Sequence, residues 1–275
     1  MPEVTEYAHG APCWADLATP DLGVSMGFYR ALFGWGSYTL TIAATGDYEV
    51  FTHGGPEGPT VSGMQPLADD TEPPSWTCYV HTDDLDRTFR AVLDAGGTAL
   101  VEPATVANLG RMAVCVDSQG ADFGIYQSYD HRGADVMDET DALCWIELWC
   151  RDTEAAKRFY GAVFGWTGAD RGFDRWNVAD RVYRPSVYTD WLLGDRPLAG
   201  MLPMDGSSQA HWIPYFWVTD CDSATGEAVD LGAVTEIPPN DAVHGRFSVV
   251  ADPTGARLGL FTPSEAVRES VRARS

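Results

Sequence analysis

The chain has 275 residues, 45% hydrophobic and 21% charged, the composition of a globular protein long enough for two cored domains. Its formal net charge of −22 opposes phosphate backbones and makes nucleic acid a poor partner. No apolar run reaches about 18 residues, and the opening Met1-Pro-Glu-Val-Thr-Glu6 has no basic region before an apolar stretch, so neither a membrane span nor a secretory signal is expected.

In chain order, residues 12–18 read as a strand, Thr19-Pro-Asp21 as a turn and helix N-cap, and 22–32 as a helix stopped by Gly34. Strands follow at 38–44, 47–52 and 60–65, broken by Gly and Pro. After a linker containing Asp69-Asp-Thr-Glu-Pro-Pro74 the same succession returns: strand 76–81, helix 84–95 closed by Gly96 and Gly97, then strands 101–107, 111–116 and 123–127. Residues 128–141, rich in Asp, Gly and His, form a second linker. The whole order then repeats, with strand 143–149, helix 153–164, strands through Pro203, strand 212–218, helix 224–231 and strands to Phe261. Residues 263–275 are expected to form a short helix or fray.

The second half echoes the first. Phe28-Tyr-Arg-Ala-Leu-Phe-Gly-Trp35 returns 131 residues later as Phe159-Tyr-Gly-Ala-Val-Phe-Gly-Trp166. Gly63-Met-Gln-Pro66 answers Gly200-Met-Leu-Pro203, and Asp117-Ser-Gln-Gly120 answers Asp252-Pro-Thr-Gly255. The period far exceeds that of solenoids, so two homologous domains are implied. The six cysteines show no Cys-x-x-Cys spacing, and Cys13, Cys78, Cys115 and Cys144 sit in apolar strand-like runs. Free thiols in a reducing cytoplasm are expected.

Opening strand, Thr-Pro-Asp turn, Phe-Tyr helix end with Leu-Phe-Gly, and closing Asp-x-x-Gly turn together resemble the vicinal oxygen chelate superfamily of glyoxalase I, drug-resistance proteins and extradiol dioxygenases. The resemblance spans almost the whole chain and is nearest in pattern to two-domain bacterial members labelled hydroxylase or glyoxalase-like. It implies an α+β fold of tandem glyoxalase-like domains, 8–129 and 140–263, whose four βαβββ units form two curved mixed-sheet half-barrels around clefts. It also implies a divalent metal, held by His or Gln seven residues before the Asp of the first turn of a unit and by Glu four residues after the closing glycine. Here those places hold Trp14, Trp145 and Trp76, Ile213 with Trp212 beside it, and Gly124 and Gly259. Indole presents an N–H and no free lone pair, and glycine has no side chain. Neither a metal nor a cofactor is therefore expected.

Two tryptophans opposite a glycine suit a slot for a flat ring, formed by Trp14, Trp76 and Gly124 with Tyr126 in one copy and by Trp145, Trp212 and Gly259 in the other. Ordinary barrel filling is the competing reading, and one cleft can be open while the other is closed. Asp16 and Glu147 lie two residues beyond Trp14 and Trp145, hence on the same strand face, as acids open to raised pKa values. Arg111 and Arg246 occupy matching Gly-Arg steps and suit a carboxylate or phenolate ligand, or a salt bridge. Asp16, His53 and Arg111 are the catalytic candidates, while Glu147, Trp191 and Arg246 join the binding set.

The expected function is metal-independent binding of a small flat or aromatic metabolite in one or both clefts of a monomer or homodimer. The alternatives are a secondary-metabolism enzyme working by acid–base residues or an organic cofactor, a metal enzyme with non-standard ligands, and an interaction protein with filled clefts.

Overall fold

The structure, a computed structural model, describes residues 4–42, 46–69, 71–172, 176–178, 181–183, 187–204 and 209–272. Residues 43 and 44 of the strand expected at 38–44, Asp70 of the first linker and the last three residues of the expected C-terminal helix lie outside the described residues.

The first domain contains β1 (Pro12–Thr19), α1 (Leu22–Phe33), β2 (Gly36–Ile42), β3 (Gly46–Thr52), β4 (Thr60–Pro66), β5 (Ser75–His81), α2 (Leu85–Asp94), β6 (Thr98–Val106), β7 (Gly110–Val116) and β8 (Asp122–Ser128). The second contains β9 (Leu143–Cys150), α3 (Thr153–Phe164), β10 (Thr167–Gly172), a small hairpin of β11 (Trp176–Val178) and β12 (Arg181–Tyr183), β13 (Val187–Leu193) and β14 (Arg196–Pro203). It continues through β15 (His211–Trp217), α4 (Cys221–Asp230), β16 (Val234–Ala242), β17 (Gly245–Ala251) and β18 (Arg257–Pro263), and α5 (Glu265–Arg272) follows. No described helix is long and apolar enough to cross a membrane.

The helices start where short acids can cap them. Asp21, Asp84, Asp152 and Asp220 each adopt extended backbone and accept a bond from the N–H three residues on. Asp220 starts α4 at Cys221, three residues before the expected start, because the cap outweighs the polar first turn. Gly34 and Gly165 end α1 and α3 in the left-handed region, at φ 65° and 72°.

Each domain is one eight-stranded mixed sheet, ordered β2-β3-β4-β1-β5-β8-β7-β6 or β10-β13-β14-β9-β15-β18-β17-β16. The two units of a domain join through the antiparallel pairs β1–β5 and β9–β15. Alternate residues of these strands face opposite sides. Ala15, Leu17, Ile146 and Leu148 turn to the helices, in an apolar core that runs without interruption through both domains. The joint is twofold in character. Tyr29 of α1 donates to Asp252 at 2.9 Å and Tyr160 of α3 donates to Asp117 at 3.0 Å. Trp35 and Trp166 donate across the joint to the carbonyls of Asp141 and Gly10, both at 2.7 Å.

Two tryptophans expected to line the slots, Trp76 and Trp212, and Trp191 of the binding set lie in this core instead. Trp76 stands opposite Leu17 and donates to Tyr29, while Trp212 stands opposite Leu148 and donates to Tyr160. The reason is a one-residue count. The cap of α2 is Asp84, not Asp83, so seven residues back falls on Thr77, and a slip of one turns a strand residue to the other face. Trp191 is fully buried against Tyr160 and Trp166.

Candidate functional site

The faces turned away from the shared core carry the same polar cluster in both domains. On β9, Trp145, Glu147 and Trp149 alternate onto this face, with Tyr215 of β15 opposite Trp145. The Glu147 carboxyl accepts from Tyr215 at 2.8 Å and from the Trp149 indole at 2.7 Å. Tyr188 of β13 is its third hydrogen-bond partner, and the Tyr188 hydroxyl accepts from the Trp145 indole at 3.1 Å. Two glycines make room for these phenols. A Cβ on Gly200 would lie 1.9 Å from the Tyr188 oxygen, and one on Gly259 would lie 2.1 Å from the Tyr215 ring. Gly259 thus clears space for a tyrosine, and the sequence-derived slot between indole and glycine is filled by that ring.

Burial pushes the Glu147 carboxyl above the ordinary carboxylate range, opposed by hydrogen bonds from Trp149, Tyr188 and Tyr215 and by the Arg171 charge. Arg171 of β10 lies over the Tyr188 ring at 4.2 Å and pairs with Asp190 at 2.8 Å. Burial also holds Tyr188 and Tyr215 far above the usual phenol range, with the Glu147 charge adding to it. They are donors, not phenolates.

In the first domain Asp16 replaces Glu147, Tyr48 and Tyr79 replace the two phenols, and Trp14 donates to Tyr48 at 2.9 Å. The Tyr–Asp distances are 3.3 and 3.2 Å, and one Asp16 oxygen is buried without a partner. Gly63 and Gly124 make room for Tyr48 and Tyr79, as their counterparts do. Burial pushes Asp16 up to about 7.

The two clefts differ in what covers these clusters. Over Asp16, Tyr126 rises from β8 and donates to the His131 carbonyl at 2.8 Å, while the His131 ring meets Trp14 edge-on at 5.0 Å. Tyr7 donates to the Ala134 carbonyl at 2.6 Å, sealing the cleft with the N-terminal segment and the linker. Over Glu147, Phe261 stands where Tyr126 does, and a cavity of about 830 Å³ opens. Trp145, Tyr215, Phe247 and Phe261 wall it. Its cover comes from elsewhere: Ala266, Val267 and Val271 of α5, and Val4, Tyr7 and Ala11 of the N-terminal segment. Arg171, Arg196 and His244 also line it, with the acids Glu6 and Asp138.

The other polar candidates lie apart from both clusters. Arg111 forks onto Asp86 at 2.9 and 3.0 Å, and Arg246 binds Asp222 and Asp241 at 2.9 and 2.8 Å. These pairs tie α2 and α4 to the strands beside them. His53 meets the Thr140 carbonyl at 3.0 Å, between the domains.

The superfamily's metal does not fit this cleft. Counted from the observed caps, its positions in the second domain fall on Trp145, Ile213 and Gly259, none of which carries a donor side chain for a cation. Glu147 is engaged by three hydrogen-bond donors. Among the described residues no three His, Cys, Asp or Glu side chains converge as a metal site would require.

Paired βαβββ units sharing one curled sheet, twice in tandem, define the vicinal oxygen chelate class. A glyoxalase-like domain family matches residues 145–261. The chain is similar over its length to the anthracycline biosynthesis protein DnrV of Streptomyces peucetius, 35% identical over 270 residues covering 94% of each chain. It therefore belongs to the glyoxalase-like family of the vicinal oxygen chelate superfamily. The anthracycline biosynthesis protein DauV of Streptomyces sp. (strain C5) is 34% identical, with 96% of this chain and 97% of that one covered. The crystal structure of the 2,3-dioxygenase LapB from Pseudomonas sp. KL28 shares the fold at a TM-score of 0.59, with 13% identity and 94% of each chain covered.

Proposed function

We propose that the second domain binds one flat polycyclic aromatic metabolite, without a bound metal, and that the chain serves aromatic natural-product metabolism. The observation that carries this reading is the cavity of about 830 Å³, aromatic on its walls and polar at its floor. Cavities of roughly 300–1,000 Å³ with a few fixed polar groups are the usual setting for small-molecule recognition. Trp145, Tyr215, Phe247 and Phe261 offer ring faces and edges, each contact adding about 0.5–1.5 kcal/mol beyond area burial. Glu147 and its phenols orient oxygen substituents, and Arg171 and Arg196 favour a phenolate at the edge. The names of DnrV and DauV, both anthracycline biosynthesis proteins, agree with such a ligand. In this reading the first domain is a wall, its own cleft closed.

Titrating tryptophan fluorescence with alizarin, a flat dihydroxyanthraquinone, tests the reading. The expected result is saturable quenching at one site per chain, weakened when Phe247→Ala and Phe261→Ala together remove two of the ring walls. Absence of saturable quenching, or quenching indifferent to the double variant, refutes it. Metal analysis of protein purified without chelator tests the second clause, and stoichiometric metal required for alizarin binding overturns it.

A further inference from the structure

A buried carboxyl costs free energy unless its partners compensate. An aromatic ligand alone would be served at least as well by a hydrocarbon at the cavity floor, yet the fold places Glu147 there and aims three donors at it. Two of those donors are hydroxyls, whose protons swing about the C–O bond while the rings stay packed. The Trp145 N–H occupies the Tyr188 oxygen as acceptor, which leaves the Tyr188 proton for Glu147.

We infer that Glu147 is a general base that removes a proton from an enolisable carbon of the bound metabolite, with Tyr215 and Tyr188 donating to the enolate formed. The inference rests on the binding reading above and gives that ligand a reactive position: a C–H flanked by carbonyl or aryl groups on a flat ring system. In the step, the C–H bond breaks, its proton goes to the Glu147 carboxylate and its electron pair moves into the carbonyl, leaving charge on oxygen. A protonated Glu147 no longer needs both phenols, so one hydroxyl turns to the enolate oxygen as that charge appears. Return of the proton to another carbon, or to oxygen, completes a redox-neutral isomerisation that consumes nothing else.

The surroundings suit the role. Tyr188 on β13, Tyr215 on β15, Trp149 on β9 itself and Arg171 on β10 face the carboxyl and restrain the rise that burial causes. β14 and β18 contribute Gly200 and Gly259 beside the phenols, while Glu6, Asp138, Cys144, Arg196 and His244 line the same cavity. The result is a base stronger than a solvated carboxylate, between neutral donors. The first domain holds the same constellation without the access. Asp16 is one methylene shorter and lies sealed beneath Tyr126 and His131.

Anthrone, a flat tricycle with a methylene between two aryl rings and conjugated to its carbonyl, serves as probe under anaerobic conditions in deuterium oxide. Quenching reports its binding and mass spectrometry reports hydrogen–deuterium exchange at the methylene. The expected result is saturable exchange faster than in buffer by at least about 100-fold, reduced about 100-fold by Glu147→Gln when both proteins are compared at saturating anthrone. Tyr215→Phe should slow exchange at saturating anthrone about tenfold, and the wild-type rate should rise with pH to a plateau as Glu147 ionises. Anthrone that quenches wild-type protein without accelerated exchange overturns the inference and leaves the binding reading standing. So does Glu147→Gln or Tyr215→Phe exchanging at the wild-type rate. Anthrone that fails to quench removes both readings.

Discussion

Asp16→Asn isolates the energetic consequence of a buried acid sealed from the cavity. Burial holds the Asp16 carboxyl at about 7 in the folded chain, against an ordinary value of 3.8. Between those values the native state keeps a proton that the unfolded chain has released, so stability falls as pH rises through the window and is lowest above it. At about 1.4 kcal/mol per pH unit, the loss amounts to about 4 kcal/mol. Asparagine cannot ionise, and its amide oxygen remains an acceptor for Tyr48 and Tyr79. The stability of Asp16→Asn minus that of wild type should therefore grow by about 3 kcal/mol between about pH 4.5 and about pH 8, the part of the window that range spans. Urea unfolding of both proteins across that range measures the difference, in which the other buried acids cancel. A difference that stays flat with pH, or shrinks, would show that Asp16 ionises in the native state as it does in water, and the reasoning would fail.

Gly259→Ala would force the Tyr215 ring off its site, since the new carbon lies 2.1 Å from it; a loss of about 1–3 kcal/mol in urea unfolding and weaker alizarin quenching are expected. Ending the chain after Ser264 removes α5, none of whose residues is buried. The unfolding midpoint should hardly move, while alizarin affinity falls about tenfold, the effect of roughly 1.4 kcal/mol of lost apolar contact. Tyr29→Phe and Tyr160→Phe each delete a bond to a buried aspartate across the joint and orphan a tryptophan N–H. Each should destabilise the whole chain by about 1.5–3 kcal/mol in the same assay.

Scaffold signals are local and written four times, so they read easily. Four aspartates cap four helices, and Gly34 and Gly165 stop two of them. The site depends on strand parity, which a single residue inverts. The two-residue step from Trp14 to Asp16 and from Trp145 to Glu147 stays on one face, whereas counting from Asp83 put Trp76 on the wrong one. The phenols were harder to see, because Tyr48 and Tyr188 reach their acids from strands two places away in the sheet. The duplication did carry a signal for the other pair: Tyr79 and Tyr215 each stand three residues after the strand tryptophan. What opens one cleft and closes the other is irregular chain, residues 4–11 and 131–137, and α5, where no periodicity tells which way a segment folds.

The borrowed roof of the cavity has a thermodynamic consequence. Val4 and Val271, near opposite ends of the chain, line the same cavity, so the segments that cover it come from residues far apart in sequence. A ligand held under that roof would touch groups from both ends of the chain. By mass action the binding energy of such a ligand would add to the stability of the whole chain.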